Sequence, residues 1–338
     1  MQVLQGITHN TCHQLDGPGA YEWWYVDAVS PCGEWGIVYI VFRGIPMSPT
    51  YLRDPHSMRA GCAVSIYHRG VRIAFSFTEQ PLEHTLFDSN STNVQMKGAS
   101  LSIDGSGVLR ATANVPCDSD GRTIELTITG DASSKPSTAQ STFAQAHGWV
   151  LACPRMNAEF DLKLHEHDTL VLQHKARVMA YHDHNMGSRQ MHRDYTDWYW
   201  GRVHTADTTI VFLSTPGSPD TMNAVYEVND NGLIKPWADV EISFRHRSIS
   251  AMGLAFYKQI ILRGSSDEQG PMEVVCDNAQ TCEDSPFYQR YVSTWRVNNQ
   301  TPAIIGTSEY MNVARMRSRW IRPFLGLPLI TIEGDRPV

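Results

Sequence analysis

The run Gly36-Ile37-Val38-Tyr39-Ile40-Val41-Phe42 is dense in β-branched and aromatic residues, with turn formers on both sides, Pro31-Cys32-Gly33 before it and Gly44-Ile45-Pro46 after it. It reads as a buried strand. Outward from it, similar segments recur at Ala63–Tyr67, Val71–Phe77, Ala99–Ile103, Val108–Asn114 and Arg122–Thr129. Turns such as Asp104-Gly105-Ser106-Gly107 and Asp118-Ser119-Asp120-Gly121 separate them, which predicts hairpins of an antiparallel sheet. The second half repeats the style at Thr208–Ser214, Ala224–Val228, Val240–Arg245, Gln259–Arg263, Met272–Val275 and Tyr288–Val297, with a turn at Asn229-Asp230-Asn231-Gly232. No long apolar stripe of helical period is present, and the best helix candidate is short, Tyr310–Arg317. Ala132–Gln145, rich in Ser, Thr, Ala and Gln, reads as an irregular loop. The expected fold class is all-β, two barrels or sandwiches in tandem, since closure removes exposed strand edges. The halves separate near Gly187–Asp194, giving expected domains of residues 1–187 and 188–338.

Composition narrows the function classes. At 42% hydrophobic and 19% charged residues the chain is globular rather than disordered, and its 338 residues suffice for a sizeable core. A net charge of −7 gives no basic footprint for a phosphate backbone, so no nucleic-acid partner is expected. The seven cysteines are odd in number and lack CxxC pairs, which predicts reduced thiols. The start of the chain lacks a signal-peptide pattern and no apolar run reaches the length of a membrane span. A cytoplasmic location is therefore expected. The sequons Asn90-Ser91-Thr92 and Asn299-Gln300-Thr301 then read as chance matches.

Three segments combine polar and aromatic residues more densely than a core or a solvated face requires. In Tyr21-Glu22-Trp23-Trp24-Tyr25-Val26-Asp27, strand alternation sends Glu22, Trp24 and Val26 to one side and Trp23, Tyr25 and Asp27 to the other. In His147-Gly148-Trp149 an imidazole and an indole share a face. In Tyr181-His182-Asp183-His184-Asn185-Met186-Gly187, Tyr181, Asp183 and Asn185 share one face, and His182 and His184 share the other. The two histidines could hold zinc or iron with a distant carboxylate, but no further HxH, HExxH or facial-triad spacing accompanies them, and His165-Glu166-His167 reads as a turn. No metal site is expected. Downstream, Trp198-Tyr199-Trp200-Gly201-Arg202 adds aromatic rings and a guanidinium suited to a cavity wall or a brace on a carboxylate such as Glu22 or Asp27.

At these positions the sequence resembles the carotenoid 1,2-hydratase (hydroxyneurosporene synthase) family. The resemblance rests on Pro18–Ala28, Gly44–Tyr51, His147–Trp149, Tyr181–Gly187 and Trp198–Arg202, five motifs in the family's order, with Gly306–Arg322 as a looser sixth. One departure is Met186, where the family pattern carries Trp. The resemblance implies two lipocalin-like β-barrels and a reaction without cofactor, in which water adds across a terminal trisubstituted double bond of an acyclic isoprenoid to give a tertiary alcohol. It also implies that His147, Trp149, Tyr181 and Asp183 are the catalytic residues. Glu22, Trp24, Asn185, Met186, Trp198 and Trp200 are expected to bind substrate. The partner would be an apolar isoprenoid or polyene, collected by contact with a membrane surface.

The chemistry fits that set. Proton transfer to carbon needs an acid still protonated near neutrality, and an unperturbed Asp, with a pKa of about 3.9, is ionised there. Burial of Asp183 among rings would raise its pKa. Indole and phenol faces would stabilise the tertiary cation by roughly 0.5–2 kcal/mol each. Two other readings use the same cavity: a pericyclase or cyclase of natural-product biosynthesis, as in relatives sharing the fold, and a non-catalytic lipocalin-like carrier.

Overall fold

The computed structural model describes residues 1–117, 121–133, 143, 145–267, 269–326 and 330–332. Asp118–Asp120 of one expected turn, and most of the 132–145 segment, lie outside these residues. Among them, no helix is long and apolar enough to cross a membrane.

The chain forms two curled antiparallel sheets. The first contains β1 (Gln2–Gln5), β2 (Tyr21–Val29), β3 (Trp35–Arg43), β4 (Arg59–His68), β5 (Val71–Pro81), β6 (Leu86–Phe87) and β7 (Asn93–Met96). It continues with β8 (Ala99–Ile103), β9 (Val108–Cys117), β10 (Arg122–Asp131), β11 (His147–Glu166) and β12 (Thr169–Gly187). The second contains β13 (Trp198–His204), β14 (Thr208–Ser214), β15 (Asn223–Asn229), β16 (Ile234–Pro236), β17 (Ala238–Ile249), β18 (Ala255–Ser266), β19 (Gly270–Asp284), β20 (Tyr288–Val297) and β21 (Ile304–Met311). A last strand, β22 (Ile330–Thr331), returns to the first sheet and pairs in parallel with β5. The first sheet runs β5-β4-β3-β2-β12-β11-β10-β9-β8-β7-β6, an open half-barrel. The second runs β16-β15-β14-β13-β21-β20-β19-β18-β17 and nearly closes, with the Trp237 N–H donating to the Val225 carbonyl at 2.9 Å. These are the two lipocalin-like halves that the sequence led us to expect.

Period-two alternation explains what each sheet buries. In β2 and β3, Trp24, Val26, Ile37, Tyr39 and Val41 point into the first barrel, against Leu126 and Phe160. In β13 and β14, Tyr199, Val203 and Phe212 point into the second, against Trp295. The opposite parity faces outward, and there the two sheets meet: Tyr25, Tyr67, Trp149 and Tyr181 pack against Trp200, Val211 and Leu213. The layer between the barrels is therefore a third apolar cluster, and it holds the site.

One expectation needs correction. Tyr310–Arg317 is not one helix: Tyr310 and Met311 end β21, and only Val313–Arg317 turns, as a 3-10 helix capped by Asn312, whose side chain accepts from the Arg315 N–H. Pairing of β21 with β13 and β20 outweighs local helical preference at its start. The turn expected at His165–His167 is narrower and later: His165 and Glu166 end β11, paired with Leu170 and Thr169, and the β11–β12 hairpin turns at His167 and Asp168, with φ of 46° and 67°.

Candidate active site

Asp183 sits in β12 between two partner strands, directly opposite Tyr25 of β2, while its neighbour Asn185 faces Trp149 of β11 and Trp23 of β2. This register gathers Trp149, Tyr181, Asp183 and Asn185 on the face toward the second barrel. The Asp183 carboxyl accepts three hydrogen bonds: from Tyr181 Oη at 2.7 Å and Trp149 Nε1 at 2.8 Å on Oδ2, and from Asn185 Nδ2 at 3.0 Å on Oδ1. Burial pushes its pKa from the ordinary 3.8 up to about 7; the Tyr181 and Trp149 bonds oppose the shift, and the negative charges of Glu309 and Asp27 add to it. A carboxyl so placed is available as a neutral acid near pH 7.

A cavity open to solvent lies before it. Its walls are aromatic, with Tyr21, Trp23 and Tyr25 from β2, Trp149 from β11, and Trp198 and Trp200 from β13. The Trp200 Nε1 donor is buried in this wall without a protein partner, which leaves an N–H for a ligand.

Across the cavity stands a second carboxyl, Glu309 of β21, paired in register with Trp200. It binds Arg290 at 2.8 Å and accepts from Tyr25 Oη at 3.1 Å. Burial raises its pKa; the Arg290 guanidinium opposes this and Asp27 adds to it. Tyr25 ties this wall to the floor, since its hydroxyl also reaches Asp27 at 2.8 Å and accepts from Arg290 at 2.8 Å. Asp27 in turn takes both Nε, at 2.9 Å, and Nη2 of Arg202, each partner 1% exposed. Arg202 is thus a brace between the barrels rather than part of the cavity wall.

His147 stands one layer behind the wall. Its Nε2 meets Asp194 at 2.8 Å and its Nδ1 meets Tyr21 Oη at 2.9 Å. An ionised Asp194 only accepts, so Nε2 carries the hydrogen and Nδ1 receives the Tyr21 proton. Asp194 is itself gripped by Arg189 at 2.7 Å. Burial lowers the His147 pKa against the pull of Asp194, so the imidazole is a neutral relay that fixes Tyr21 in the cavity wall. Gly187 makes this fit possible: a Cβ there would lie 2.5 Å from Tyr21 Cε1 and 2.6 Å from His147 Nδ1.

Three of the expected substrate-binding residues lie on the other face of the sheet. Glu22 and Trp24 share the parity of Val26 and point into the first barrel, where Trp24 stacks on His184 at 4.2 Å between ring centroids. Met186 shares the parity of His182 and His184 and packs on Leu4, Val150 and Ala152. Asn185, Trp198 and Trp200 do line the cavity. Tyr181 lies below it with only its hydroxyl reaching Asp183. The histidine pair separates: His182 meets Asn10 Nδ2 at 2.8 Å, whereas His184 joins Glu22 and His13, whose ligand-type atoms lie within 4.8 Å of one another. Glu22 there is already occupied by the His13 N–H at 2.7 Å and faced by Arg43 at 3.7 Å, which makes the group an ion-paired brace of the barrel interior. Sequence reading missed Glu309, Arg290, Tyr21 and Asp194. Trp23 and Tyr25 were visible only as the alternative face of β2.

Comparison with known proteins places the chain in a family. The profile of the family "Carotenoid hydratase CrtC" matches residues 40–331. A "Hydroxyneurosporene dehydrogenase" of Chlorobaculum tepidum is 24% identical over 96% of this chain and 91% of its own length. An "Acyclic carotenoid 1,2-hydratase" of Thiocapsa roseopersicina is 25% identical over 94% of this chain and 74% of its own. Among solved structures, a putative AttH from Nitrosomonas europaea superposes with a TM-score of 0.61 at 13% identity, covering 92% of this chain and 98% of that one, a likeness of fold. With a profile match over most of its length, the chain belongs to the carotenoid hydratase family.

Proposed function

We propose that this enzyme adds water across a terminal C=C bond of an apolar isoprenoid or polyene, with Asp183 as the proton donor. The observation that carries the reading is a carboxyl held near neutrality, hydrogen-bonded by Tyr181, Trp149 and Asn185, and opening on an aromatic cavity. Oδ2 already accepts two hydrogen bonds and Oδ1 one, so the transferable proton rides on Oδ1. The alkene π pair takes that proton and forms a C–H bond, leaving a tertiary cation. Trp23, Trp198 and Trp200 line the cavity, and a ring face turned to the cation is worth roughly 0.5–2 kcal/mol. Water attacks the cation, forming the C–O bond, and passes its proton to Glu309, whose raised pKa suits it to hold a proton and whose charged form Arg290 favours against burial. Solvent returns the proton from Glu309 to Asp183. His147 acts through Tyr21, setting the wall rather than touching the reacting carbons.

Incubation of the purified protein with an acyclic isoprenoid in ¹⁸O-labelled water tests the reading. A tertiary alcohol carrying the label is expected. A product isomeric with the substrate would make the protein a cyclase, and tight binding without any product would make it a carrier; either result overturns hydration.

A further inference from the structure

We propose that the segment from Arg317 to Phe324 is a docking surface for an anionic lipid bilayer, placed beside the mouth of the cavity. Among the described residues Trp320 is the one exposed tryptophan, at 74%, and Phe324 projects beside it at 49%. Two such rings in solvent are costly unless something covers them. Their surroundings state what that is. Residues 310–332 hold four arginines and no acid, in a chain whose net charge is −7. Arg315 is spent inside the fold, donating to the Gly253 carbonyl at 2.6 Å. Arg317 donates to the His192 carbonyl, Arg319 lies 5.2 Å from the Trp320 ring centre, and Arg322 donates to the Met316 carbonyl at 3.2 Å. None of these three has a carboxylate partner among the described residues.

Arg193 joins them from the turn Met191–Arg193: burial and then the charges of Arg317, Arg193 and Arg322 all depress the His192 pKa, so these cations share one patch. Exposed rings among guanidinium groups that lack carboxylate partners among the described residues are the composition of a membrane-surface anchor. The rest of the protein, being acidic, is repelled by the same surface, which fixes the orientation. The same turn faces the site, since Met191 lines the cavity and packs with Tyr195, Met316 and Leu325 in one cluster against Trp198. An apolar substrate would pass from the bilayer to the cavity without crossing water. That last step rests on the proposed substrate class, whereas docking itself is measured without substrate.

The test is flotation of the full chain with vesicles of phosphatidylcholine alone and of phosphatidylcholine mixed with phosphatidylglycerol. Binding to the mixed vesicles, weakened by salt, is expected. Each of Arg317→Gln, Arg319→Gln and Arg322→Gln should lower partitioning about fivefold, and the three together on the order of a hundredfold. Trp320→Ala should lower it roughly tenfold or more, and its exposure predicts an unchanged melting temperature. Failure of the native protein to float with mixed vesicles overturns the proposal, as does undiminished binding by the triple variant. A dimer that Trp320→Ala dissociates, with no vesicle binding, would reassign the patch to a second copy of the chain and equally overturn it.

Discussion

Asp183→Asn separates chemistry from stability in opposite directions. The amide keeps the shape and an acceptor for Tyr181 and Trp149, and rotation of the Asn185 amide lets it accept where it now donates. The transferable proton is gone, so turnover should fall about 10²-fold or more. Stability should move the other way. The folded carboxyl titrates near 7 against an ordinary 3.8, a rise worth on the order of 4 kcal/mol at about 1.4 kcal/mol per pH unit. Because the folded pKa is the higher one, the unfolded chain releases its proton first. Native stability therefore declines as pH rises from about 4 to about 7, and the full cost is present above that. The amide carries no such cost, so the variant should melt higher than the native protein at pH 8 and no higher at pH 4. Calorimetry at both pH values, beside turnover of an acyclic isoprenoid, is the assay. Near-normal turnover would exclude Asp183 as the proton donor, and a lower melting temperature at pH 8 would exclude a carboxyl whose burial costs stability.

The remaining expectations concern the surrounding groups. Turnover of the native enzyme should fall as pH rises through about 7, where Asp183 loses its proton; a rate–pH profile flat from 6 to 8 contradicts this. Glu309→Gln should lower kcat about 10²-fold and shift that limb to lower pH, because the Glu309 charge helps to hold the Asp183 pKa up; an unmoved limb would show that the two carboxyls are uncoupled. Arg202→Ala leaves the Asp27 carboxyl buried between the barrels without its guanidinium partner, so denaturant melts should show a loss of about 3–5 kcal/mol, and Arg202→Lys should recover only part of it.

What the sequence showed and hid follows from strand geometry. Alternation within one strand is readable, and it groups Tyr181, Asp183 and Asn185 on one face. Which parity faces the partner sheet is not readable from one strand. For β2 it is set by register with β12, where Tyr25 lies opposite Asp183, and this turns Glu22 and Trp24 into the barrel. Met186 follows the same rule through its parity with His184. Glu309 left no local trace, because its strand resembles any other and its place arises from pairing with Trp200, more than a hundred residues earlier. His147 shares a face with Trp149, yet the fold sets Tyr21 between it and the cavity.

Asp183 stands in the cavity wall, where burial raises its pKa to about 7. Carboxyl-¹³C NMR of the ligand-free protein, with the Asp183 resonance assigned by its loss in Asp183→Asn, measures this directly. A titration midpoint near 7 is expected. A midpoint near the ordinary 3.8 would contradict it.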